Sequence, residues 1–125
     1  MDRIDQMLDM LGDEIPEIIW EREAADVARP EDWGALELRK EPDAQWADGQ
    51  ATDRIWSMDL YLAVGDQGSE WADRIDSVLR RFDEEAEWIT WEMTERGWQP
   101  NIQKVLWIWR IRLYGPLAIR EQWHG

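Results

Sequence analysis

The sequence predicts a single α+β domain: a mixed, mainly antiparallel sheet of about five strands with two helices packed on one face. Three observations lead to this fold class. Residues 104–114 alternate at the period of a β-strand, with one wholly apolar face. Residues 69–83 place apolar side chains at the spacing of an amphipathic helix. A chain of 125 residues suits one domain with one hydrophobic core.

The first part of the chain predicts one helix and two strands. Residues 2–11 carry an apolar stripe at helical spacing, and Gly12 and Pro16 are placed to end this helix. Residues 17–25 favour a strand, although their Glu and Ala content also suits a helix. Residues 33–40 alternate again and predict a second strand.

The most loop-like part of the chain is residues 41–52, which contain Pro42, Asp43, Asp48 and Gly49. Twelve residues is a long connection for a compact domain, so we expect a loop that is either functional or mobile. Trp46 stands alone in it. Two interpretations of Trp46 stay open: a loop that folds back on the core, or an anchor for a neighbouring chain.

The second part of the chain predicts a strand, a helix and a hairpin. Residues 53–64 alternate as a strand, and residues 69–83 form the clearest helix, followed by an acidic turn at 84–87. Residues 88–96 predict a strand with Ile89, Trp91 and Met93 inward, and residues 97–101 predict the hairpin loop. The strand 104–114 is too long and apolar for a free edge, so other strands must flank it. We expect residues 1–115 to form the domain and residues 116–125 a C-terminal tail.

Charge is distributed unevenly along the chain. Residues 1–100 have a net charge of −17, and residues 101–125 a net charge of +3, for a total of −14. This balance argues against direct binding of nucleic-acid phosphates. An acidic surface either repels DNA, meets a basic partner, or only confers solubility.

The sequence carries no recognisable catalytic, metal or cofactor site, and we expect no enzyme. Cysteine is absent, which excludes disulfides, thiol catalysis and Cys-based zinc sites. The only histidine, His124, lies beside the C-terminus. The acids at 83–87 match no calcium loop and favour a solvated turn. No segment suits a signal peptide or a membrane-spanning helix, so an intracellular, soluble product is expected.

Tryptophan is the other anomaly, with eleven residues spread along the chain. Each indole N–H needs a partner when buried, and some of these rings should lie at an interface. Arg110 and Arg112 share one face of the last strand. They either pair with Glu92 or Glu95 across the hairpin or meet the acidic surface of a neighbouring subunit. The candidate subunit-interface residues are Trp33, Trp46, Trp98, Arg110, Arg112 and Trp123.

The order of elements resembles one family. An N-terminal helix, an early strand and a long polar loop precede a Trp-bearing strand at 55–64, the helix at 69–83 and a final hairpin whose last strand holds Trp and Arg at 107–112. This organisation is similar to that of the tail-terminator, or tail-completion, proteins of tailed bacteriophages. The likeness covers most of residues 1–115 and includes no invariant motif.

The resemblance implies a structural virion protein: a homohexameric ring that caps the tail tube, stops its growth and forms the joint to the head. Its implied partners are further copies of itself, the tail tube protein and the head–tail connector or neck proteins. It implies assembly in the host cytoplasm, no membrane, and DNA that passes through the lumen without tight binding. Six copies would carry −84 in total, which suits an acidic lumen. The alternative is a small acidic inhibitor, a nucleic-acid mimic or immunity-type protein that occupies a basic site.

Overall fold

A five-stranded sheet and two helices form the domain, which confirms the predicted fold class. The computed structural model describes residues 3–23, 31–38, 55–65, 70–86 and 89–114. In chain order the elements are α1 (Arg3–Glu14), β1 (Ile19–Glu21), β2 (Trp33–Leu38), β3 (Ile55–Val64), α2 (Glu70–Ala86), β4 (Ile89–Gln99) and β5 (Lys104–Tyr114). The sheet order is β1-β2-β3-β5-β4, with β1 parallel to β2 and the other pairs antiparallel.

Strand β5 lies inside the sheet, as its length and apolar character require. It pairs with β3 from Ile55↔Tyr114 to Val64↔Val105, and with β4 on its other side. Its alternation separates two environments, because successive side chains of a strand point to opposite faces. One set is buried on the side that carries the helices. The other set includes Arg110 and Arg112 on the helix-free face.

Both helices pack on one face of the sheet, and their buried side chains share one core with the inward residues of the strands. Ile75 and Leu79 of α2 are fully buried, as the helical spacing predicted. The inward residues of β3 (Met58, Leu60, Leu62 and Val64) and of β5 (Val105, Trp107, Trp109, Ile111 and Leu113) belong to the same core. The predicted packing of α2 on the central strands is therefore confirmed.

Three predicted boundaries are wrong. Helix α1 continues through Gly12 to Glu14, and the N–H of Ile15 still donates to the carbonyl of Leu11 at 2.8 Å. Pro16 ends this helix, since a proline cannot continue the hydrogen-bond ladder. Of the strand predicted at 17–25, the structure describes residues 17–23, and only Ile19–Glu21 of these form β1. Helix α2 runs on to Ala86, so part of the predicted acidic turn at 84–87 is helical.

The hairpin turn also lies later than predicted. Strand β4 extends to Gln99, and Gly97 is paired within it opposite Leu106. The turn consists of residues 100–103, closed by a 2.7 Å hydrogen bond from the N–H of Gln103 to the carbonyl of Gln99. Gln103 has φ 55°, in the left-handed region. The pairing of β4 with β5 thus includes residues 97–99, whose composition suggested a loop.

Buried indoles do not all follow the expectation that each N–H finds a partner. Trp20 donates to the carbonyl of Ile15 at 3.0 Å, and Trp91 donates to Asp76 at 2.9 Å. In the part of the chain that the structure describes, the buried N–H groups of Trp56, Trp71 and Trp107 have no hydrogen-bond partner. The rings of Trp71 and Trp107 instead lie beneath the guanidinium groups of Arg74 and Arg96.

Several predictions fall on residues outside the described ranges. These are the loop 41–52 with Trp46 and the C-terminal tail 116–125 with Trp123 and His124. Among the described helices, none is long and apolar enough to cross a membrane.

Candidate assembly surfaces

Two arginines of β5, Arg110 and Arg112, lie on the helix-free face of the sheet near its β4 end, and we call them the basic row. Asp59, Arg110 and Glu92 stand side by side on β3, β5 and β4. Arg110 donates from Nε to Oδ1 of Asp59 at 2.9 Å, which gives it a partner on β3 that the sequence did not suggest. Arg112, two residues on, is exposed. Both arginines line a shallow cleft of about 200 Å³, whose other lining residues are Thr90, Trp91 and Glu92.

The opposite, helix-bearing face of the same hairpin carries an apolar patch. Met93 and Trp98 of β4 are 48% and 49% exposed. They lie opposite Trp109 and Val105 of β5, whose side chains point to the helix-bearing face. Between them Arg96 lies over the Trp107 ring, with its guanidinium carbon 4.4 Å from the ring centroid. We call these three β4 residues, Met93, Arg96 and Trp98, the hairpin patch.

The prediction that Met93 lies inward is wrong, because its side chain is exposed where α2 does not cover β4. Helix α2 holds the beginning of β4: Asp83 accepts from the N–H of Ile89, and Asp76 from the indole of Trp91, both at 2.9 Å. Beyond Trp91 the strand carries a β-bulge between Met93 and Glu95. A bulge bends an edge strand and increases its twist. The rest of β4 therefore presents apolar side chains on a face where the described helix does not cover them.

At the other end of the sheet, α1 and β1 border an open groove of about 580 Å³. Its walls combine apolar side chains with two exposed carboxylates, Asp9 and Asp13. The other lining residues are Leu8, Gly12, Pro16, Ile18 and Trp20. A Cβ added to Gly12 would meet no atom within 4 Å, so the groove is open above this glycine. We call this site the α1–β1 groove.

Trp20 forms the strand side of the groove because Gly34 lets it lie flat on the sheet. The two residues are register partners in β1 and β2. A Cβ on Gly34 would lie 2.2 Å from Cζ3 of Trp20, a distance that real contacts do not reach. The hydrogen bond from the indole to the carbonyl of Ile15 holds the ring in this position. Sequence patterns gave no sign of this pairing, because Gly34 lies in a strand that alternates normally.

Charged side chains of α2 hold the segment that borders the groove against the rest of the domain. Arg74 of α2 donates two hydrogen bonds to the carboxylate of Glu17 and one to the carbonyl of Glu14, at 3.2 Å. Arg81 donates to Glu14 at 3.0 Å. The hydrogen bonds from Arg74 lower the pKa of Glu17 from 4.5 to about 2, and the same pairing raises the pKa of Arg74.

Charge differs between the last hairpin and the α1–β1 segment, although Lys104 and Arg110 of the hairpin are paired with Asp32 and Asp59. Residues 89–114, the β4–β5 hairpin, hold four basic and two acidic side chains, for a net charge of +2. Residues 3–23, which contain α1 and β1, hold seven acidic and two basic side chains, for a net charge of −5. β4 and β1 are the two outermost strands of the sheet. Four inter-strand steps separate them, or about 19 Å.

The predicted interface residues lie in different environments. Trp98 and Arg112 are exposed, and Arg110 is half-buried in its pair with Asp59. Trp33 is only 1% exposed and packs with Ala35 and Ala63 on the helix-free face, so its own chain already covers it. Trp46 and Trp123 lie outside the described residues. Sequence reasoning missed the α1–β1 groove and the contribution of Met93 and Arg96 to the exposed patch.

No group of three or more potential metal-ligating side chains occurs within the described ranges. Comparisons with known proteins add no assignment: no protein-family model matches this sequence, and no curated protein is significantly similar to it.

Proposed function

We propose that this chain is a structural protein of the tail-terminator type, in which six copies form a ring that closes a phage tail tube and joins it to the head. One observation carries the proposal: the two edges of the sheet present unlike surfaces, exposed Met93, Arg96 and Trp98 on β4 and an open groove with exposed carboxylates beside α1 and β1. A contact between two unlike surfaces of the same chain is heterologous, and repeated heterologous contacts close a ring when the rotation between copies permits.

The position of the charges supports association between copies. The hairpin, with net charge +2, and the α1–β1 segment, with net charge −5, belong to opposite edges of one rigid sheet. A copy cannot bring its own two edges together across about 19 Å of sheet. A second copy can bring the exposed Asp9 and Asp13 of its acidic edge to the exposed Arg96 of the first. Complementary charge of this kind directs encounter and orientation more than it adds affinity.

The remaining charge suits a passage for DNA. In the described residues outside the hairpin, 17 acidic and five basic side chains give a net charge of −12. A ring whose basic hairpins are used between copies would present mainly carboxylates elsewhere. Carboxylates do not bind phosphates, so DNA could slide through such a ring without being held.

The alternative, a small acidic inhibitor of a basic partner, is supported by the total charge of −14. A nucleic-acid mimic needs carboxylates grouped on one exposed face. On α2, however, arginines are interspersed with acids and form ion pairs, Arg80 with Asp76 of the same helix at 2.6 Å and Arg81 with Glu14 of α1 at 3.0 Å. This arrangement favours a solvated helix surface over a mimic of phosphates.

Native mass spectrometry and negative-stain imaging of the purified protein test the proposal. We expect a ring of about 90 kDa from six chains of 15.0 kDa, formed alone or on addition of purified tail tubes. Tubes assembled with the protein should have capped ends and a defined length. A chain that stays monomeric with and without tubes, or that forms a one-to-one complex with a basic enzyme, would reject the ring.

A further inference from the structure

We infer that the hairpin patch of one copy docks into the α1–β1 groove of the next copy, with Trp98 as the anchor that enters the groove. This inference rests on the proposed ring and names its subunit contact. It follows from the chemistry of the two surfaces, the face of the sheet on which each lies and the distance between them.

The two surfaces match in chemistry. The hairpin patch offers two half-exposed apolar side chains, Met93 and Trp98, with the cation of Arg96 between them. The groove is open and mainly polar at its surface: Asp9 and Asp13 are exposed at its side, and Trp20 is a half-buried apolar member of its lining. Trp and Arg are enriched at interface hot spots, and the groove offers carboxylates to Arg96 and the half-buried Trp20 ring to Trp98.

The two surfaces also face the same way. Met93, Arg96 and Trp98 lie on the helix-bearing face of β4, and the groove opens between β1 and α1, a helix of that same face. If the sheets of two copies lie edge to edge with their helices on the same side, the patch and the groove meet. Ile19, although 48% exposed, does not line the groove and has Trp33 of the helix-free face as its register partner.

A second copy is the occupant that the geometry favours. Trp98 belongs to β4 at one edge, and the groove lies beyond β1 at the other edge. The sheet between them is about 19 Å wide, so Trp98 cannot reach the groove of its own chain. The exposed cation of Arg96 in the patch and the exposed carboxylates of Asp9 and Asp13 beside the groove favour two copies in the head-to-tail orientation that this contact requires.

Two variants remove the contact from opposite sides. Trp98→Ser deletes the anchor, and Gly12→Leu places a side chain in the groove, at a position where an added Cβ meets no atom within 4 Å. We expect each to raise the dissociation constant between copies by about 30-fold or more, the loss typical of a hot-spot residue. Ile19→Ser is the matched control, because it removes an equally exposed apolar side chain from the helix-free face and should leave association unchanged.

Mixing the two variants gives a test that does not depend on the ring. The Gly12→Leu chain keeps its Trp98, and the Trp98→Ser chain keeps its open groove. An equimolar mixture should therefore form one-to-one dimers, detected by native mass spectrometry with one chain isotope-labelled, while each variant alone stays monomeric. Circular dichroism and thermal unfolding of each variant verify that the fold is intact.

The outcomes separate this inference from the proposed function. If both variants fold and still form rings like those of the wild type, the docking of Trp98 is wrong and the proposed ring is retained. Head-to-tail dimers or open chains that depend on Trp98 and Gly12, without rings, would support the docking and reject the hexamer. If Ile19→Ser weakens association as much as Trp98→Ser does, the contact is not specific to the groove and the inference is wrong.

Discussion

Arg110 and Asp59 face each other across β5 and β3, with Nε of the arginine 2.9 Å from Oδ1 of the aspartate. The side chains are 32% and 17% exposed, so the pair is partly removed from water on the helix-free face. This contact gives Arg110 a role within its own chain. Arg112, which is exposed two residues away, is the member of the basic row that is better placed to meet another molecule.

Breaking the Arg110–Asp59 pair should lower the free energy of unfolding. Arg110→Met and Asp59→Asn should each cost about 1–2 kcal/mol, because each leaves a half-buried partner without its charge-assisted hydrogen bond. Denaturant unfolding of the two single variants and the double variant measures the coupling. If the double variant loses as much as the two single variants added together, the pair contributes nothing of its own.

The assembly role of the basic row is tested more cleanly at Arg112 than at Arg110. Reversal of both residues, Arg110→Glu with Arg112→Glu, should abolish assembly, but it also places a carboxylate beside Asp59. Arg112→Glu alone should weaken association at about 50 mM salt and have less effect at about 500 mM, because salt screens exposed charges. Arg80→Glu, at an exposed arginine of α2, is the control. If Arg112→Glu forms rings of the same size and stability as the wild type, the basic row acts only within its own chain.

The close approach of Trp20 to Gly34 predicts opposite effects of alanine at two glycines. Gly34→Ala should destabilise the protein by about 1–3 kcal/mol, because the new methyl would displace the Trp20 ring. Gly12→Ala should instead stabilise it by about 0.5–1 kcal/mol, since this glycine lies inside a helix with free space around it. Thermal and denaturant unfolding measure both. Equal effects would show that Trp20 is not seated on Gly34.

The salt bridge between Glu17 and Arg74 predicts a dependence of stability on acid pH. The folded pKa of Glu17 is lowered to about 2 from 4.5, so its contribution is fully present above pH 4.5 and is lost as the pH falls toward 2. The stability difference between wild type and Glu17→Gln should shrink over this window. Because both side chains are substantially exposed, the difference should be modest. NMR titration should show the pKa of Glu17 returning toward 4.5 in Arg74→Gln.

The packing of α2 on the sheet predicts large losses at its buried positions. Ile75→Ala and Leu79→Ala should each cost about 2–5 kcal/mol, since both side chains are fully buried in the main core. Ser77→Ala, on the exposed side of the same helix, should change the unfolding free energy by less than about 0.5 kcal/mol. Losses below about 1 kcal/mol at both core positions would contradict the packing.

Local periodicity was sufficient for the long elements. The strand predicted at 104–114 has those bounds in β5, and the inward set of β3 is the one that alternation selects. The apolar spacing of residues 69–83 predicted which face of α2 is buried. Single-residue signals were less reliable: Gly12 does not end α1, and Gly97 does not begin the hairpin loop. A glycine does not end a helix or a strand when the hydrogen bonding of that element continues on both sides of it.

The sequence by itself determined the fold class, the central strand and the excess of acid over base, because alternation, helical spacing and net charge are properties of neighbouring residues. Only the tertiary structure decided that Met93 and Trp98 are exposed, that Arg110 pairs with Asp59, and that α1 and β1 border an open groove. These features depend on the order of strands in the sheet and on where a helix stops covering it. Both are set by contacts between residues far apart in the chain, which no local pattern records.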